Sequence, residues 1–429
     1  MKVVFRKRRI REYFLIAIYV ILLFNQALQS SEIPIIAGVF HYIDEGLAVL
    51  FLIMILIKVV KRGYVFKLYD QIIFIFAAVF LVFGFICTFI ADIQTVKAYM
   101  IDFFSCAKFF IGYFAARFYW DDIDTDYLKN QLNFTSRLIS VVLFLLAINE
   151  EFINPLFTLA DQRYFGYSIR LMFNHPTNLA ACASTVLVTL AACSKKRENT
   201  LYMVMISVVA IFTFRSKVMA FIAVFWGLYL VLDVFKIRNR MLITVGGIAS
   251  VYYIGYDQIN NYYLTKRWSP RRIMLIDAVN LANKHFPFGM GYASFGTHMS
   301  VSSYSPIYYE LGYHRMPGMN PYKPRYLNDG FWQAEIAQFG WVGTLIFVIL
   351  IAMFFITAFK FRNKNIPFLK FNALLCINLF FLITSIGEMS YFYTHALLLF
   401  FIMGLIVSEN RKSLDAAVAK KSTEENGDT

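Results

Sequence analysis

The stretch from Asp257 to Asp329, 73 residues long, gathers the ionic and aromatic side chains that most of this chain lacks. It carries eight basic residues, Lys266, Arg267, Arg271, Arg272, Lys284, Arg315, Lys323 and Arg325, against four acids, Asp257, Asp277, Glu310 and Asp329. An excess of that kind suits an anionic ligand or partner. Two smaller groups repeat the theme. In the segment Asp161 to Asn178, Arg163 and Arg170 precede His175-Pro176, and proline fits the first turn of a helix, where its missing N–H had no partner anyway. In Phe214-Arg215-Ser216-Lys217 two cations share one turn. Inside otherwise apolar runs stand Asp44 and Glu45, just after His41, and Asp102 and Lys108, six positions apart and so unable to stack as a helical i,i+4 pair. Charges in such places face a protein interior or do functional work. The six histidines match no metal-ligand spacing, and the five cysteines all fall in apolar runs, so neither a metal site nor a disulfide framework is expected.

These groups need a scaffold, and composition says which kind. With 59% hydrophobic and 16% charged residues, and a mean hydropathy of +0.58, the chain is too apolar to be soluble, since globular averages are about 45–50% and about 25%. The net charge of +14 therefore reads as membrane-facing loops and not as a nucleic-acid surface. A crossing helix takes about 20 apolar residues, and we read about twelve, near 12–29, 35–57, 70–91, 97–116, 132–149, 174–193, 200–214, 218–235, 241–256, 331–358, 369–387 and 395–408. The runs are continuous and not alternating, which excludes a β-barrel. With the N-terminus inside, 26 Lys and Arg fall on the inner side and 13 on the outer, eight of these in the long loop. Both termini are expected in the cytoplasm of a multi-pass plasma-membrane protein. The first span has a basic leader and no small-residue cleavage site, so it reads as a retained anchor.

The expected organisation is helices one to nine in 1–256, an extracytoplasmic loop domain in 257–329, helices ten to twelve in 330–408 and a polar, disordered cytoplasmic tail in 409–429. Within the loop, Arg271 to His285 has apolar residues at Ile273, Ile276, Val279 and Leu281 or Ala282, the pattern of an amphipathic helix lying on the membrane surface. Singly, an arginine beside a membrane contacts headgroups and a tyrosine at a span end joins the aromatic belt. Eight cations in one outer loop run against the positive-inside bias and call for a ligand.

Four motifs follow one another in order. They are His175-Pro176-Thr177-Asn178-Leu179-Ala180, then Thr213-x-x-Ser216-Lys217, then Arg272-x14-Pro287-x-Gly289-x-Gly291, then Asp329-x10-Gly340-x-x-Gly343. Together with the late outer loop they resemble the O-antigen polymerase and O-antigen ligase family, which includes capsule and exopolysaccharide polymerases. Ligases of that family carry His-Asn where this chain has Asp329-Gly330, which favours a polymerase. The usual Ser-Arg is Ser216-Lys217 here, with Arg215 offset.

The resemblance implies transfer of a growing glycan from an undecaprenyl diphosphate carrier to a lipid-linked repeat unit on the outer leaflet, without metal or nucleotide. A diphosphate leaving group needs cations, for which Arg163, Arg170, Arg215, Lys217, Arg271 and Arg272 are the candidates, and arginine offers paired contacts that lysine does not. The acceptor hydroxyl needs a base, for which Asp329 is the first choice, with Glu45 and His175 as the alternatives. Expected partners are the lipid-linked oligosaccharide, membrane lipid, and flippase and chain-length regulator proteins, with no nucleic acid. The rival functions are a ligase moving the glycan to another acceptor and a polysaccharide flippase or exporter. Repeated halves, common in transporters, are not evident.

Overall fold

The computed structural model describes residues 9–409 except 32, 63–67, 120–121, 158–159, 164–165, 195–196, 266–267, 361–367 and most of 236–259. The expected ninth span, the cations Lys266 and Arg267 and the tail after Glu409 lie outside the described residues. What is described is all-α apart from one ribbon of two short strands, β1 (Gln162–Arg163) and β2 (Gly166–Tyr167).

In chain order the helices are α1 (Arg9–Gln29), α2 (Pro34–His41), α3 (Ile43–Arg62), α4 (Leu68–Ala91), α5 (Val96–Tyr119), α6 (Thr125–Ile148), α7 (Pro176–Cys193), α8 (Thr200–Phe212) and α9 (Ser216–Tyr229). Then come α10 (Pro270–Lys284), the short α11 (His298–Ser302) and α12 (Pro306–Glu310), α13 (Phe331–Lys360), α14 (Phe368–Thr384) and α15 (Thr394–Glu409). Among the described residues six are long and apolar enough to cross a membrane: α1, α4, α5, α6 with its extension to Ile153, α7 and α13. Four shorter apolar helices accompany them.

Burial separates inner from outer helices. α7 is buried along nearly its whole length, and its run of small residues, Ala180 to Ser184, lets neighbouring backbones come close. α4 instead exposes Val79, Val82, Ile86, Phe89 and Ile90. An apolar outer surface of that extent has water as an unfavourable solvent and lipid as a matching one, which supports a membrane protein. α5 meets α15 closely because each offers a glycine. A Cβ at Gly112 would overlap the Leu397 backbone, and one at Gly404 would overlap that of Tyr113.

At one end of the bundle the charges are closed off in pairs. Arg117 reaches Asp70 at 2.5 Å and Ser408 at 2.6 Å, Lys58 pairs with Asp122 at 2.7 Å, and Lys129 and Lys370 share Glu409 at 2.9 and 2.5 Å.

Three expectations are corrected. The span expected over 35–57 is two helices broken at Tyr42, so Asp44 and Glu45 occupy the first turn of α3, where carboxylates are favourable beside the positive end of the helix dipole. The tenth span is broken at Gly340, whose φ of 61° and ψ of −170° are not helical. Carbonyls of Ala337 and Gln338 are freed there and accept N–H groups of Met290 and Gly291 at 2.9 and 2.8 Å. The two glycine motifs thus meet: a Cβ at Gly289 would strike the Gln338 backbone, and one at Gly340 the Phe288 carbonyl. The amphipathic helix does form as α10, but it buries Met274, Ala278, Leu281 and Ala282 and leaves Ile276 exposed. Its stripe packs on α13 and forms a separate apolar cluster with Phe295, Tyr308, Tyr313 and Leu327, so tertiary packing and not a membrane surface decides its face.

Candidate active site

The first polar region begins at the α8–α9 turn. Thr213 Oγ1 donates to the Ala210 carbonyl at 2.7 Å, and Phe214 takes a left-handed φ of 47°, which swings Arg215 into the interior and starts α9 at Ser216. Lys217 lies in the first turn of α9, where its Nζ pairs with Glu388 at 2.5 Å and donates to the Gly387 carbonyl at 2.9 Å. Pro270 starts α10 and so sets Arg271 in that helix's first turn, from which Nη2 contacts Asp329 Oδ2 at 3.3 Å. A Cβ at Gly387 would stand 3.3 Å from Lys217 Nζ and 3.5 Å from Arg271 Nη1, so the two cations converge on a glycine with no side chain to keep them apart.

This arrangement is braced from behind. Gln333 of α13 donates to Tyr263 Oη at 3.0 Å and to the Arg271 carbonyl at 3.3 Å, while Tyr263 donates to the Ile386 carbonyl at 2.7 Å. Arg215 is 8% exposed, and its Nε and Nη2 have no hydrogen-bond partner among the described residues. Buried donors left that way carry a desolvation cost of about 1–3 kcal/mol, which an anion would relieve.

His175 is the N-cap of α7, with Nδ1 accepting the Thr177 N–H at 3.2 Å. Burial, and then the charge of Arg215, push its imidazole down to about 4. The neutral ring therefore keeps its proton on Nε2 and offers a donor there, with the other lone pair already used. Arg163, on β1, forms a 3.9 Å pair with Asp161, and its charge is felt at both His175 and Arg215. Arg170 Nη1 donates to the Asn174 carbonyl at 3.3 Å, bracing the turn before His175. Arg272 is half-buried on α10, about 100° round the helix from Arg271. Arg271, one residue before the motif arginine, is the one whose guanidinium reaches Asp329.

The second region is a cavity of about 120 Å³ reached by the ends of α1 and α2, the start of α3, the N-terminal half of α5, the loop around Thr297 and the segment Met389–Thr394. Lys108 Nζ sits between Asp44 at 2.6 Å and Glu45 at 3.0 Å. Thr394 adds a hydrogen bond to Asp44 at 3.0 Å, and Ser105 one to Glu45 at 2.9 Å. Asp102 accepts the Ala293 N–H at 2.6 Å and Gln338 Nε2 at 3.1 Å, which fastens the long loop to α5 and α13. Asn328 and Met389 line this cavity, and each is the chain neighbour of a residue in the first region, Asp329 and Glu388.

Of the residues singled out from sequence, Arg215, Lys217, Arg271 and Asp329 come together with His175 and Arg163 beside them. Glu45 belongs to the cavity. Sequence reasoning missed Glu388, Gln333, Tyr263 and Thr394. A lone acid in the short connection Ser385-Ile386-Gly387-Glu388 has no spacing signature, and its counter-charge, Lys217, lies 171 positions away. No protein-family model matches this chain, and no curated protein is found similar to it.

Proposed function

We propose that this protein is a membrane glycosyltransferase that polymerises polysaccharide repeat units carried on undecaprenyl diphosphate, for a capsule, an exopolysaccharide or O-antigen. The six long apolar helices, the four shorter ones and α3 support a multi-pass layout, which with the span read from sequence over 241–256 would number twelve, both termini cytoplasmic and both polar regions at the outer leaflet.

Arg215, Lys217 and Arg271 hold the donor diphosphate, with the Nε2 donor of His175 beside them and Arg163, Arg170 and Arg272 along its approach. In the reaction the bond from the donor anomeric carbon to the diphosphate oxygen breaks, and its electron pair leaves on the phosphate, where the cations neutralise it. The acceptor oxygen forms the new bond to that carbon, and its proton passes to Asp329. No hydrogen bond joins Asp329 to the first turn of α13 among the described residues, so its carboxylate is free of the helix-capping role its position suggests.

The observation that carries this reading is the pairing of Asp329 with Arg271, linked through Lys217 and its partner Glu388 to the unsatisfied guanidinium of Arg215, a base and anion-seeking cations drawn from three distant parts of the chain. Deletion followed by electrophoresis of lipid-linked and surface glycan tests it. A polymerase leaves single repeat units when lost. An unchanged ladder overturns the proposal, and so do carrier-linked full-length chains that never reach their final acceptor, as a ligase would leave, or no repeat unit at the outer surface, as an exporter would leave.

A further inference from the structure

We infer that the cavity beside Lys108 is the acceptor-sugar subsite, and that it takes a neutral or amine-bearing sugar while rejecting carboxylated and phosphorylated ones.

Charge is the first argument. The wall presents three carboxylates, Asp44, Glu45 and Asp102, against one ammonium, Lys108. Lys108 is consumed by two of those acids, at 2.6 and 3.0 Å, so no further lysine or arginine on the wall remains for an anionic ligand, the other basic side chains there being the imidazoles of His41 and His298. A uronate or phosphate entering here meets uncompensated like charge, whereas hydroxyl and ammonium groups meet acceptors. Those acceptors are available: Glu45 Oε2 has no hydrogen-bond partner among the described residues, although its Oε1 serves both Lys108 and Ser105.

Shape is the second. At about 30 Å³ per water, a cavity of about 120 Å³ holds about four waters, which is room for the hydroxyl-bearing edge of one sugar ring and not for a second ring. Tyr42, Phe392 and Tyr393 stand on the wall. Aromatic faces suit the C–H face of a sugar, and they attract an ammonium group.

Position is the third. Asn328 and Met389 put the cavity wall one residue along the chain from Asp329 and Glu388, and Tyr393 on that wall feels the charge of both, so the cavity adjoins the Asp329–Arg271 pair. This inference rests on the glycosyl-transfer reading, with the two regions dividing sugar from phosphate.

The test measures binding of glucosamine, glucose, glucuronate and inorganic pyrophosphate to the full-length protein in lipid nanodiscs, by saturation-transfer NMR and competition. The expected order is glucosamine, then glucose, with glucuronate at least about tenfold weaker than glucosamine. Glu45→Gln should weaken glucosamine about tenfold and leave pyrophosphate unchanged, while Arg271→Ala does the reverse. Tyr42 is exposed, so Tyr42→Ala should keep the fold and still weaken both sugars. Glucuronate binding as well as glucosamine, displacement of glucosamine by pyrophosphate, or sugar binding indifferent to both Glu45→Gln and Tyr42→Ala overturns the subsite. Sugar binding in the expected order with no pyrophosphate binding at all upholds the subsite and removes the diphosphate reading instead.

Discussion

Two buried cations, Lys108 and Arg215, are treated in opposite ways. Lys108 is enclosed by Asp44 and Glu45 and backed by Ser105 and Thr394, a closed electrostatic unit whose charge is spent inside the protein. Arg215 is buried with two nitrogens unmatched among the described residues, while Lys217 and Arg271, paired with Glu388 and Asp329, crowd the same glycine. A cation that is fully paired builds structure, and one left short of partners is kept for a ligand. The lesson is that burial alone does not mark a site; the state of hydrogen-bond satisfaction does.

That contrast predicts different failures. Lys108→Met strands two carboxylates in the bundle interior and should cost about 3–5 kcal/mol, read as loss of folded protein or a much lower melting temperature in detergent. Lys217→Met strands only one carboxylate, Glu388, in a pair more exposed than Lys108–Asp44, and should fold while losing activity; equal destabilisation by the two changes would erase the distinction. Arg271→Lys keeps charge but loses the planar fork, and polymer yield should fall about 10²-fold with melting unchanged. Glu388→Gln releases Lys217, so pyrophosphate affinity should rise several-fold, on the order of 1 kcal/mol; a fall would make Glu388 a ligand contact and not a restraint.

The smallest effect concerns pH. The His175 value in the folded protein, about 4, lies below the ordinary 6.5, so the unfolded chain takes up the proton first. Stability therefore declines as pH falls from about 6.5 to about 4 and is level below that. His175→Asn keeps the helix cap and should remove this slope. With part of the ring exposed, the slope is shallow, and paired melting curves at several pH values read the difference.

Sequence alone carried the membrane class, because hydropathy depends on composition and not on contacts. It also carried the cations of the α8–α9 turn and the long loop, whose expected place on the outer side runs against a charge rule that needs no structure. It did not carry the break at Gly340 or the meeting of that break with Pro287-x-Gly289-x-Gly291, since both depend on backbone carbonyls finding donors 47 residues earlier in the chain. The buried face of α10 was displaced for a related reason. Ile273, Ile276 and Val279 are the most apolar spacing, yet the stripe that fits the surface of α13 runs through Met274, Ala278 and Leu281. The ion pairs Lys108–Asp44 and Lys217–Glu388 join residues 64 and 171 positions apart, and a single chain offers no periodic signal at those distances.

The central claim is that Asp329 takes the proton from an acceptor hydroxyl while the cations beside it hold the diphosphate. Purified protein supplied with a lipid-linked repeat unit should build a ladder of products, and Asp329→Asn should abolish it. The substitution breaks only a partly exposed pair with Arg271, worth about 0–1 kcal/mol, so melting should stay near wild type and pyrophosphate binding should not fall. A ladder of normal length and yield from Asp329→Asn contradicts the account.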